Sequence, residues 1–207
     1  MTRNTVIAVI AVLSLVAGCA TMMSDADVTK KTLLVLKSSF KENGQAKLDR
    51  LDQDEVQATC SRYETPDKLP KDVAQRLEEG QLKMVRYPAD GQLLGDWKAG
   101  EAIAQSGVGK QFSDDPSRPS GANCYACHQL SPQELAFGTI GPSLLGFGKL
   151  RGNSEEIRKY AYAKIYNSQA FSACSTMPRF GHNGILTEQQ MKDVVALLLD
   201  PASPVNK

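Results

Sequence analysis

Two cysteines separated by two residues, with a histidine directly behind them, constrain this chain more than any other stretch: Cys124-Tyr125-Ala126-Cys127-His128. A C-x-x-C-H run is the attachment site of a c-type haem, in which both thiols form thioethers to the porphyrin edge and the adjacent imidazole becomes the proximal iron ligand. The competing readings are a redox dithiol or half of a zinc site. A closed zinc site needs a partner pair, and the remaining candidates are His182 and three scattered cysteines, Cys19, Cys60 and Cys174. The spacing therefore predicts one covalently bound haem c on Cys124 and Cys127, with His128 on the iron and the rest of the chain forming a pocket around it.

The compartment follows from the N-terminus. Arg3 precedes an apolar run from Val6 to Ala17, too short to span a bilayer comfortably, and Gly18-Cys19-Ala20 follows. Residues 1–18 thus read as an export signal, which puts the mature chain outside the cytoplasm, in the periplasm. Leu15-Val16-Ala17-Gly18-Cys19 also reads as a lipobox, with Cys19 acylated as the new N-terminus. The rival is ordinary cleavage after Ala20 or Ala26, leaving a soluble protein. The full chain has 24 Lys+Arg against 23 Asp+Glu, and removing residues 1–18 takes away only Arg3. A balance so near neutral gives no support for nucleic-acid binding or for attraction to anionic lipid, so any membrane contact rests on a lipid anchor.

The mature chain reads as all-α. Val28, Leu33, Leu36 and Phe40 fall at loosely helical spacing, and Asn43-Gly44 ends that pattern. The acidic run Asp49, Asp52, Asp54 and Glu55 lacks the offsets of a calcium loop and reads as a solvated helix face. A second short helix is expected over Pro66–Glu79, with Pro70 in its first turn and Gly80 as its stop. Residues 25–90 form a helical N-terminal extension on this reading, and residues 91–201 the haem domain.

In that domain Leu93, Trp97, Gly100 and Ala104 share one helical face. Gly100 in mid-helix costs about 1 kcal/mol relative to alanine, a cost that close helix-to-helix approach would explain. Gly107-Val108-Gly109-Lys110 lacks the first glycine and the hydroxyl residue of a phosphate loop. Asn153 and Glu156 are expected to cap a helix ending at Asn167. Thr187 and Gln190 form a capping box for the last helix, whose stripe is Met191, Val194, Val195, Leu198 and Leu199. Between the haem motif and these helices, Gly138-Thr139-Ile140-Gly141-Pro142-Ser143-Leu144 is apolar and turn-rich. A carbonyl at Pro142 would accept the outer N–H of the His128 imidazole; a plain turn is the alternative.

An iron that transfers electrons without binding small molecules needs a sixth ligand. Met177, His182, Cys174 and Met84 are the candidates. Met177 lies on a loop between two helices, stiffened by Pro178, and on no apolar stripe, whereas Met191 has the role of core filler. Cys60 and Cys174 are left over. In an oxidising compartment they are expected to pair and so staple the extension to the Met177 loop; the alternative is a free Cys174 acting at the haem.

Four segments together resemble the SoxX family, the monohaem cytochrome subunits of bacterial thiosulfate-oxidising SoxAX complexes: residues 94–101 (LGDWKAGE), 123–128 (NCYACH), 138–144 (GTIGPSL) and 177–184 (MPRFGHNG). The resemblance covers roughly residues 60–207, and residues 20–58 match nothing reliable. It implies a class I cytochrome c fold, with the first and last helices of the domain crossing near Gly100, and His128 and Met177 as axial ligands. It further implies a heterodimer with a SoxA cytochrome subunit bearing the active-site haem, where thiosulfate is joined oxidatively to a cysteine of the carrier SoxY. This chain would then carry no catalytic residue. It would be the electron-relay subunit of an L-cysteine S-thiosulfotransferase, passing electrons to a small soluble cytochrome c. A free-standing periplasmic electron carrier, and more remotely a haem sensor or ligand-binding protein, are the alternatives.

Overall fold

The computed structural model describes residues 23–63 and 65–207; the export segment 1–18 and Cys19 lie outside the described residues. Extended pairing among the described residues is confined to an isolated bridge between Asn43 and Ala46, and the rest is helix and turn. The chain divides into two compact units, the first ending at Glu42 and the second running from Asn43 to Lys207. No helix among the described residues is long and apolar enough to cross a membrane.

The first unit contributes α1 (Asp25–Ser39), opened by Ser24, whose hydroxyl accepts from the Asp27 N–H. None of its residues is buried, and Leu34 and Val35 are more than half exposed. In the second unit come α2 (Glu55–Cys60), α3 (Lys71–Lys83), α4 (Trp97–Gln105), α5 (Phe147–Arg151), α6 (Glu155–Tyr166) and α7 (Glu188–Leu199).

Two expected boundaries move. Pro66–Lys68 is a separate 3-10 turn, Pro70 sits at the N-cap of α3, and the helix runs through Gly80 to Lys83 with Gln81 buried. Glycine only weakens a helix by about 1 kcal/mol, so buried neighbours carry the helix past it. α6 is capped by Ser154, whose hydroxyl accepts from the Ile157 N–H, while Asn153 accepts from the Arg158 side chain. The capping box of α7 forms as expected from Thr187 and Gln190.

The division of the chain also differs from the expected boundary near residue 90. Residues 43–90 belong to the same compact unit as residues 91–207. Val56, Leu69 and Leu77 bury themselves against Ala173, making a second small core beside the main one. These contacts lie about 100 residues apart in the chain, which is why local periodicity does not reveal them.

The main core is organised around α7, buried from Met191 to Leu199. α4 crosses it where Gly100 meets the backbone of Asp193: a Cβ on Gly100 would overlap the Asp193 carbonyl, with its carbon 2.6 Å away and Leu197 Cβ at 3.0 Å. Gly95 N–H donates to Lys192 O (3.0 Å) and Asp96 N–H to the Asp193 carboxylate (2.9 Å), locking the entry of α4 onto α7. Because the obstacle is backbone, the helices must part to admit a methyl group. We expect Gly100→Ala to lose about 2 kcal/mol, an overpacking cost of about 1–3 kcal/mol outweighing the gain in helix propensity. Thermal melting should show a fall of about 4–8 °C for a chain of this size; a melting temperature at or above that of the parent would mean the crossing can widen freely.

Candidate haem site

The C-x-x-C-H segment hangs from the end of α4. Ala122 N–H donates to Ile103 O (2.9 Å) and Asn123 N–H to Ser106 O (2.9 Å). Asn123 takes a left-handed conformation (φ 45°), a turn that asparagine tolerates better than most residues, and a 3-10 turn over Cys124–Ala126 follows. His128 N–H closes back on Cys124 O (2.9 Å). Both thiols are unpaired with one another and half-buried. Burial pushes the Cys124 thiol up to about 12, so in the bare polypeptide it stays a neutral thiol.

The glycine-rich loop then folds back along this segment through three backbone bonds, each of 2.8 Å: Gly138 N–H to Tyr125 O, Gly141 N–H to Cys127 O, and Leu144 N–H to Gln129 O. They bring the Pro142 carbonyl to 2.7 Å from His128 Nδ1. A carbonyl only accepts, so Nδ1 carries the proton and Nε2 keeps its lone pair. The imidazole lies flat over Gly141, where a Cβ would be 2.5 Å from Nδ1 and 2.7 Å from Nε2. The glycine is required by this close approach.

The donor set fits haem c: two free thiols, an imidazole with its tautomer fixed, and an apolar surround. Cys124 and Met177 both pack, half-buried, against the same core, together with Ile103, Leu144, Phe147 and Tyr166. Cys124 and Cys127 would hold the porphyrin and His128 the iron, and the group would supply a one-electron Fe(III)/Fe(II) couple.

The four candidate sixth ligands separate by environment. Cys174 is bonded to Cys60, 114 residues earlier, and is therefore not a free thiol. Met84 is 48% exposed at the C-cap of α3. His182 is exposed on the turn after Phe180. Met177 is held by two local bonds, its carbonyl accepting from Ser168 Oγ (2.5 Å) and its N–H donating to Ser175 Oγ (3.2 Å).

Around Met177 lies a group of residues that local patterns did not flag. Arg179 is buried, with Nη2 on the Asp54 carboxylate (2.5 Å) and Nη1 3.4 Å from Gln81 Oε1. Gln81 also accepts from Asn167 Nδ2 (2.9 Å), and Glu78 accepts from Ala173 N–H (3.0 Å). Asp54 therefore does more than solvate a helix face: it caps α2 in a box with Gln57 and pairs with Arg179. The Asp54-x-x-Gln57 spacing was the available signal for the cap; nothing in the sequence indicated the pairing.

Burial alone would raise the Asp54 carboxyl, but the Gln57 N–H and the Arg179 guanidinium outweigh it and hold the group below its ordinary value. A depressed carboxylate contributes stability above its unfolded value near 3.8 and loses it as pH falls through the folded value. We expect Asp54→Asn to cost about 1–2 kcal/mol at neutral pH. That is below the 3–5 kcal/mol of a fully buried pair, since the Asp54 side chain is 38% exposed. The deficit should shrink towards pH 3 in denaturant titrations; a deficit constant with pH would show the charge is irrelevant.

An all-α core in which two helices cross at a glycine, with C-x-x-C-H at the foot of one of them, defines a single-haem electron-transfer protein of the c type. Residues 108–200 match the family model described as cytochrome c. Over 158 residues the chain is 40% identical to an uncharacterized lipoprotein of Aquifex aeolicus (strain VF5), covering 75% of this chain and 73% of that protein. Residues 108–200 are thus a cytochrome c domain, with the class I fold and covalently bound haem c.

Proposed function

We propose that this cytochrome is the electron-relay subunit of a SoxAX-type complex. The observation that supports this reading is the convergence of the four segments resembling SoxX. Residues 94–101 seat α4 on α7, residues 123–128 present the thiols and imidazole, residues 138–144 fix that imidazole, and residues 177–184 bring Met177 against the same core. Met177 is the sixth ligand, and thioether ligation sets a higher potential than a second imidazole would.

In this role the chain binds a SoxA cytochrome subunit. Joining thiosulfate to the SoxY cysteine would form one S–S bond and release two electrons and the thiol proton, and a haem c held by Cys124, Cys127 and His128 would supply a one-electron couple for passing those electrons to a small soluble cytochrome c. The chemistry of bond formation belongs to the partner's haem. The protein acts outside the cytoplasm, anchored through acylated Cys19; the Leu15–Cys19 lipobox and the description of the Aquifex relative as a lipoprotein support this. Mass spectrometry of the mature N-terminus tests the anchor: an unmodified start beyond Cys19 overturns it.

Gentle affinity purification of the tagged protein from its own host, followed by a haem-stained gel, tests the role. A second c-type cytochrome at equal stoichiometry, in a complex that conjugates thiosulfate to a carrier cysteine, is the expected result. Recovery of this chain alone, reducible by many donors, would make it a free-standing electron carrier instead.

A further inference from the structure

The segment carrying Met177 is tied to residues 54–81 on both sides. Before it, Cys174 is bonded to Cys60, and Ala173 N–H is held by the Glu78 carboxylate. After it, Arg179 is held by Asp54 and Gln81. Gln81 in turn grips Asn167, next to the Ser168 hydroxyl that takes the Met177 carbonyl. The anchoring elements α2 and α3 have their own apolar core with Ala173, so they do not move as loose chain.

We infer that residues 54–81 form a clamp whose task is to keep Met177 in place as an iron ligand, with Cys60, Asp54 and Gln81 as positioning residues. The inference rests on Met177 being the sixth ligand. A ligand loop opens as a local event, and the population of its open form sets how readily an outside ligand reaches the iron. A covalent tether three residues before Met177 and an ion pair two residues after it both act against that opening.

The test uses the intact holoprotein in three forms: parent, Cys60→Ser/Cys174→Ser, and parent with the disulfide reduced and both thiols alkylated. The last form has folded before the tether is cut. Measurements are cyanide binding to the ferric haem, the far-red thioether-to-iron absorption band, the reduction potential, and helix content by circular dichroism. The clamp predicts cyanide binding at least about tenfold faster, equivalent to about 1.4 kcal/mol in the opening equilibrium, with a lower potential and helix content retained. Asp54→Asn should move cyanide binding in the same direction by a smaller factor. Unchanged cyanide kinetics and potential in both tether-free forms would overturn the clamp. If Met177→Ala in the parent also leaves the far-red band intact, the ligand assignment itself has failed; if that band is lost on Met177→Ala while cyanide kinetics and potential are untouched by tether removal, only the clamp has.

Discussion

Met177→Ala is expected to give a folded haem protein whose ferric form binds cyanide and imidazole, and whose reduction potential is lower by on the order of 0.1 V. That is a small part of the roughly 0.8 V that axial ligands span. The direction follows from what the thioether does: as a weak donor that disfavours the ferric state, it raises the potential, and water or hydroxide in its place does not. Position supports the assignment, since Met177 is half-buried against the core that also takes Cys124, while Met84 is exposed and Cys174 is consumed in a disulfide. Met177→His provides the discriminating partner. A second imidazole should again exclude cyanide yet leave the potential low, separating access to the iron from its electronic tuning. Redox titration and the far-red band of the ferric protein read both. A parent-like potential and spectrum in Met177→Ala would remove Met177 from the site.

Gly141→Ala should be nearly as damaging although it deletes nothing. Its methyl group would arrive inside the space of the His128 imidazole, 2.5 Å from Nδ1. The ring cannot yield without giving up the Pro142 carbonyl at 2.7 Å, and Gly141 itself is pinned by its N–H to Cys127 O. A mispointed imidazole loses its hold on the iron, and overpacking against a fixed group adds about 1–3 kcal/mol of strain. We expect the haem-to-protein absorbance ratio of purified material to fall severalfold, with altered proximal ligation in what remains. Gly80→Ala is the matched control: nothing lies within 4 Å of the added carbon, and helix propensity favours alanine by up to about 1 kcal/mol. Full haem content and a parent spectrum in Gly141→Ala would show that the loop retreats at little cost.

The parts of this architecture that were legible in the sequence are those set by short-range rules. The haem motif, the α7 capping box and the Gly100 contact each depend on residues a few positions apart or on an evident anomaly in a periodic pattern; the carbonyl at Pro142, 14 residues from His128, was open between an acceptor for the imidazole and a plain turn. Gly80 misled because a glycine stops a helix only when nothing beyond it is worth burying, and Gln81 is buried. The union of residues 43–90 with the haem domain was illegible for a different reason. Asp54 to Arg179 spans 125 residues and Gln81 to Asn167 spans 86, and neither pair carries a local signature. Cys60 and Cys174 were paired by elimination, from compartment and count, and the bond is present. Where that bond leads, to a set of polar contacts on both sides of Met177, is set by long-range packing that leaves no local pattern.

The pairing also imposes an order on how the protein is made. Four thiols beyond Cys19 allow six single disulfides, and Cys60–Cys174 is the one that leaves both Cys124 and Cys127 free for haem. Synthesis runs from the N-terminus, so Cys60, Cys124 and Cys127 exist before Cys174 does. During that interval each oxidation open to Cys60 within the chain consumes a haem thiol. Thioether formation at the C-x-x-C-H segment removes those wrong partners for good, so haem attachment ahead of oxidation leaves Cys60 with Cys174 as its remaining partner.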